Sequence, residues 1–209
     1  MKVWQYLAIG GVAWILLRSK SAQAASGRSG GSGGSQTVLD VARAIPDGGI
    51  YRIFGTGVPF DIVHKGTSIL AKGSFVYCSG FTFAAVMRAA ERRGLLAQKT
   101  VAQIRRFQRE WYGGEGDTER QQGPAMRNLD IGKPVSQDEA VPGDFVQYWR
   151  QTSGHSVVFL DWLLDAGNKK IGLKFRSAGG SKGVGDSQEK FSDSGGAINR
   201  ARVYFSRLA

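Results

Sequence analysis

Hydrophobic and polar positions divide the chain into three stretches of different character. Val3 to Leu17 is almost wholly apolar, broken only by Gln5, with Lys2 before it and Arg18 and Lys20 after it. No polar face exists, so the pattern is that of a segment addressed to a membrane, not of a soluble amphipathic helix. Fifteen helical residues span about 22 Å, against a hydrocarbon core of roughly 30 Å. That length suits the core of a signal peptide, and Ala22-Gln23-Ala24 supplies an A-x-A cleavage site. The charges of Arg18 and Lys20, between core and cleavage site, argue instead for an uncleaved anchor. Residues 1–24 are therefore read as a signal peptide or a membrane anchor. Ser26 to Ser35 is nearly all glycine and serine, and residues 25–36 are read as a flexible linker.

The third stretch, residues 37–209, has the alternation of a folded domain. Val38, Val41, Ala42 and Ile45 predict a short amphipathic helix ended before Pro46. Ile50 to Phe54 predicts a strand, and residues 55 to 77 a loop with short extended pieces that carries His64. Phe83, Val86, Met87 and Ala90 stand at i, i+3, i+4 and i+7, the buried face of a helix that Gly94 stops. Thr100 is placed to cap a third helix through Val101, Ile104, Gln108 and Trp111, ended by Gly113-Gly114. Residues 113 to 135 are polar and irregular and predict no element. From 136 the pattern turns to β. Phe145–Trp149, His155–Leu163, Ile171–Ser177 and Ala201–Phe205 read as strands, with Pro142-Gly143-Asp144 and Asp165–Asn168 as turns and Gly179–Gly185 as a loop. Helices first and antiparallel strands after make an α+β domain. No internal repeat is present.

Composition agrees with one globular domain plus extensions: 42% of residues are hydrophobic and 11% aromatic. Charge adds more. The net charge is +11, and residues 1–35 contribute only four cations to it, so most of it belongs to the domain. A basic domain favours polyanionic surroundings such as nucleic acid, anionic lipid or an acidic wall polymer. No nucleic-acid-binding motif accompanies the charge, so no specific nucleic acid is expected. One cysteine excludes an intramolecular disulfide. That cysteine and two histidines, far apart in sequence, make no zinc motif, and no metal or organic cofactor is implied. Gly179–Gly185 lacks the G-K-[ST] ending of a phosphate-binding loop.

Candidate chemistry centres on Cys78. It stands where extended chain gives way to the second helix, so free backbone N–H groups and the helix dipole favour a thiolate there. The plain alternative is a small buried hydrophobe. His155 stands at the lip of an apolar strand, just after Ser153-Gly154. A helix-borne cysteine and a strand-borne histidine make a nucleophile–base pair: the imidazole takes the thiol proton and returns it to the leaving amine. The backbone N–H of Cys78 supplies an oxyanion donor. His64 is the competing base, with nothing in its loop to recommend it.

Tyr77-Cys78-Ser79-Gly80-Phe81, then Pro142-Gly143-Asp144-Phe145-Val146, then Gly154-His155-Ser156-Val157-Val158-Phe159-Leu160 together resemble the ordered blocks of the NlpC-type and CHAP-type cysteine hydrolases. The resemblance spans about residues 70 to 178. It implies a papain-like domain, helices packed on a small antiparallel sheet, that cuts peptide amide bonds in peptidoglycan. It makes Cys78 the nucleophile and His155 the general base and acid. The N-terminal segment, read beside it, implies export, with membrane contact through that segment. The family's third residue, which orients the histidine, lies on the following strand; folding the hairpin about residues 166–167 puts Ser177 or Ala178 there, and only Ser177 bears a polar group. Asp161 is about 20 Å along the strand from His155 and too far away. The rival reading is a non-catalytic, membrane-tethered binding or virion-type protein that keeps the fold and uses its basic surface.

Overall fold

The computed structural model describes residues 33–209. The expected signal or anchor at 1–24 and most of the expected linker lie outside the described residues. The first helix, α1 (Gly33–Ala44), buries Val38, Leu39, Val41 and Ala42. It starts ahead of Thr37, so the end of the expected linker is helical. Gly34 and Ser35 explain this. A Cβ at Gly34 would stand 2.1 Å from the carbonyl oxygen of Leu208, so only glycine lets the helix lie against the C-terminal strand. Ser35 donates its hydroxyl to the buried carboxylate of Asp144 at 2.7 Å.

A hairpin follows, β1 (Ile62–His64) and β2 (Thr67–Leu70). Lys65 and Gly66 both take positive φ between them, the conformation of a tight two-residue turn. Helix α2 (Cys78–Arg92) buries the apolar face that its spacing predicts, and Gly94 ends it with φ of 72°. Helix α3 (Val101–Trp111) begins with a capping box: Thr100 accepts from the Gln103 N–H, and the Gln103 side chain accepts from the Thr100 N–H. Two elements occupy the stretch whose pattern predicts none, α4 (Gln122–Asn128) and β3 (Gly132–Val135). Then come β4 (Phe145–Trp149), β5 (Gly154–Leu164), β6 (Lys170–Gly179), β7 (Gly183–Lys190) and β8 (Val203–Leu208). The six strands from β3 onward form one antiparallel sheet in the order β3-β8-β4-β5-β6-β7.

Two expectations are corrected. Ile50–Phe54 is no strand. Gly48 and Gly49 turn the chain with positive φ, a single bridge joins Tyr51 to Val76, and Ile50, Ile53 and Phe54 are 61%, 81% and 73% exposed. Gly183–Gly185, read as part of a loop, opens the edge strand β7. Its glycine and polar content hid it, and Gly183 is required because its backbone lies against the carbonyl of Gly48, where a Cβ would come within 2.2 Å.

The sheet is buried on both faces. Against one lie the helices, in a core that includes Phe83, Phe107, Trp111, Phe145, Val158 and Ala178. The other face carries Val146, Tyr148, Val157, Phe159, Phe175 and Phe205, covered by Phe191 and Ile198. This two-sided burial explains the continuous apolar runs of β4 and β5. Strand alternation assigns His155, with Val157 and Phe159, to the face away from the helices.

Candidate active site

Cys78 is the first residue of α2. Tyr77 precedes it in extended conformation and provides no side-chain cap, so no side chain occupies the N–H groups of the first turn. Gly80 seats that turn on the backbone of Gly57, where a Cβ would stand 2.1 Å from the carbonyl oxygen. Thr82 locks it from within. Its hydroxyl donates to the Cys78 carbonyl at 3.0 Å and accepts from the indole N–H of Trp111 at 3.2 Å. The thiol itself is half-buried, and the Ser79 hydroxyl lies 4.0 Å from its Sγ.

His155 pairs across β4 with Tyr148. Its ring meets Tyr148 and Phe175 edge-on, with centroids 5.6 and 6.0 Å away. Neither ring nitrogen has a hydrogen-bond partner among the described residues. Burial, and then the nearby Arg150 cation, push the imidazole pKa down to about 4, against a smaller opposing pull from Glu189. The ring is therefore neutral at neutral pH, with one nitrogen free to accept a proton. It opens onto a cavity of about 470 Å³ shared with Tyr51, Arg150, Gly179, Lys182 and Glu189. Arg150 donates from Nε to Glu189 at 2.7 Å, and the Tyr148 hydroxyl donates to the same carboxylate at 2.8 Å. Burial, and then the Glu189 charge, raise the Tyr148 phenol well above its usual range.

Cys78 and His155 are not hydrogen-bonded to each other. Tyr51 connects them. Its phenol pKa is raised by burial, and next by the charge and hydrogen bonding of Cys78, while its ring lines the His155 cavity. Arg150 is a second link, since its charge is felt at His155 and it feels that of Cys78. The thiol thus arrives from the helical side and the imidazole from the opposite sheet face, with a phenol common to both.

Ser177 does not orient His155. Its hydroxyl donates to the Ser156 carbonyl at 2.8 Å. The cause is register. A bulge between Phe159 and Asp161 shifts the hairpin, and Val158 pairs with Arg176. Continued to the start of β5, that register sets Gly179 opposite His155, and a Cβ there would stand 3.3 Å from the imidazole Cε1 and 3.4 Å from Nε2. Ala178 is buried on the helical face. The aromatic rings of Tyr148 and Phe175 hold the imidazole where a hydrogen bond was expected. His64 is a packed residue of β1 whose Nε2 is bonded to the Lys99 carbonyl at 2.8 Å. Asp161 pairs with Lys174 at 3.3 Å.

Tyr51, Arg150 and Glu189 went unrecognised in the sequence. Arg150 lies just past the end of β4, so no strand spacing pointed to it. Among the described residues no group of three or more His, Cys, Asp or Glu side chains is arranged to hold a metal ion, and no helix is long and apolar enough to cross a membrane. No family model, no curated protein and no solved structure matches this chain.

Proposed function

We propose that this chain is a papain-like, cysteine-dependent hydrolase that cleaves peptide amide bonds in peptidoglycan, with Cys78 as nucleophile and His155 as general base and acid. The observation that carries the reading is the convergence on Tyr51 of a thiol at an uncapped helix start and a neutral imidazole with unpartnered nitrogens. A neutral imidazole is the form that accepts a thiol proton. The thiolate then attacks the amide carbonyl, the Cys78 N–H bonds the developing oxyanion, and the imidazolium returns its proton to the leaving amine. Tyr51 adjoins both groups. It lies on the segment held by a single bridge to Val76, and substrate entry displaces it. The N-terminal apolar segment supports export, as a tether or a cleaved signal, and the net charge of +11 supports an anionic polymer as the substrate's setting.

The absence of a Cys78–His155 hydrogen bond favours a second reading, a binding protein that retains wall polymer without cutting it. Digestion of purified peptidoglycan, with the new chain ends identified, separates the two. The hydrolase releases fragments, and Cys78→Ala abolishes release while changing stability by less than about 1 kcal/mol, because the side chain is small and half-buried. Retention on peptidoglycan without new ends, equal in wild type and Cys78→Ala, would establish the binder and end the hydrolase reading.

A further inference from the structure

Three buried side-chain polar atoms lack a hydrogen-bond partner among the described residues: Gln122 Oε1, Gln147 Oε1 and Ser206 Oγ. They come from α4, β4 and β8, yet gather in one corner of the fold. Gln147 pairs with Tyr204, and Ser206 pairs with Phe145 on one side and Pro134 on the other, so Gln147 and Ser206 share one sheet face. Helix α4 covers that face. Two of the three, Gln122 and Gln147, line a cavity of about 290 Å³ together with Asp117, Arg120, Arg127, Pro134 and Tyr204. An unpartnered buried polar atom is costly, and a bound molecule that supplies the missing donors removes the cost.

The partners already present define what is missing. Gln122 Nε2 donates to Thr82 Oγ1 at 3.4 Å, and Thr82 gives its own proton to the Cys78 carbonyl. Gln122 Oε1 is thereby left as an acceptor that needs an N–H or O–H. Gln147 is 3% exposed, and neither end of its carboxamide has a partner among the described residues. Turning that carboxamide about its last bond exchanges nitrogen for oxygen with no bond lost, so it offers the cavity either a donor or an acceptor. An amide group matches such a surface. At the rim, Arg127 makes no ion pair among the described residues, and Arg120 lies over the Tyr204 ring, 5.2 Å from its centroid. Both guanidinium groups line the cavity, and a guanidinium suits a carboxylate.

The geometry points to a second binding site, separate from the His155 cavity, that takes the carboxyl end of a short peptide or an N-acyl amino acid. The carboxylate lies on Arg120 and Arg127, and the adjacent amide lies against Gln122 and Gln147. N-acetylglycine carries both groups, acetate only the first and acetamide only the second. On the full chain, N-acetylglycine raises the thermal midpoint saturably and binds at least tenfold more tightly than acetate or acetamide. Arg127→Ala and Gln147→Leu each weaken it tenfold or more. Arg127 is exposed, so its variant folds and decides the matter even where Gln147→Leu does not. No saturable response, an equal response in Arg127→Ala, or acetate binding as tightly as N-acetylglycine would overturn the site. The first result leaves water as the cavity's content, the second puts the ligand elsewhere, and the third reduces the corner to an adventitious anion contact.

Discussion

His155 links stability to chemistry through a single proton. Its pKa is about 4 in the folded chain, against about 6.5 for a histidine free in the unfolded chain. Between those values the unfolded state binds the extra proton, so stability falls as pH drops from 7.5 toward 5 and is regained as pH rises. The loss over that range is at most about 2 kcal/mol, less where the ring's open side to the cavity lets water screen it. Denaturant unfolding at the two pH values, in wild type and His155→Gln, reads it: the variant loses that part of the pH dependence. A histidine ¹H NMR titration with a midpoint near 6.5 would contradict the assignment. Under the proposed hydrolase reading, the neutral ring keeps activity from failing at the usual histidine midpoint. A second residue-scale test concerns the missing orienting group. Gly179 is extended, with φ of −168°, so its backbone accepts a side chain, whose Cβ would stand 3.3 Å from the imidazole Cε1 and press on the ring. Gly179→Asn is expected to move the His155 titration. Ala178→Asn leaves it unmoved and costs at least about 2 kcal/mol, because the carboxamide enters the helical-side core without a partner.

Among the elements, legibility followed periodicity. Helices α2 and α3 imprint a spacing of 3.6 on the sequence, and strands β4 to β6 show as apolar runs because the sheet is buried on both faces. Helix α4 is too short to imprint a spacing, and two of its buried residues are Gln122 and Gly123. Strand β7 exposes most of its polar side chains at the sheet edge. Ile50–Phe54 has the composition of a strand but no neighbour to pair with beyond Val76. The candidate site was legible where it rests on helix starts and strand lips, as for Cys78 and His155. It was illegible where it depends on a bulge, because one residue of register changes which side chain faces the ring. Thr82 shows how an element positions a functional group. Its hydroxyl is a hub for the Cys78 carbonyl, Trp111 and Gln122. Thr82→Val keeps the shape and strips the hub, leaving the Trp111 N–H buried and unpaired. The expected cost is about 1–3 kcal/mol, with a loss of hydrolysis that Thr82→Ser restores. Equal activity in the valine variant would show that the first turn of α2 holds without it.

At the scale of the whole molecule, helices and sheet are joined through buried charges as well as through apolar contact. Asp144, fully buried, accepts from Ser35 of α1 and from Arg207 of β8. Arg176 does the same at the other end. From β6 its Nε donates to the Ala42 carbonyl and a terminal nitrogen to that of Ile45, each at 2.8 Å, while it also pairs with Asp47 and Asp186. The guanidinium therefore closes the C-terminal end of α1, fixes the start of the segment that carries Tyr51, and braces β7. A lysine retains the charge but cannot reach two carbonyls and two carboxylates at once. Arg176→Lys is expected to leave a carbonyl unpaired in the core and to lower stability by about 2–3 kcal/mol. Because Asp47 leads directly into Gly48, whose backbone pairs with Val184, the loss propagates to Tyr51. Amide hydrogen exchange at residues 48–54 should accelerate by more than it does in α3, which touches none of these groups. Equal acceleration in both would mean that Arg176 stabilises the fold globally and has no particular hold on the segment over the thiol.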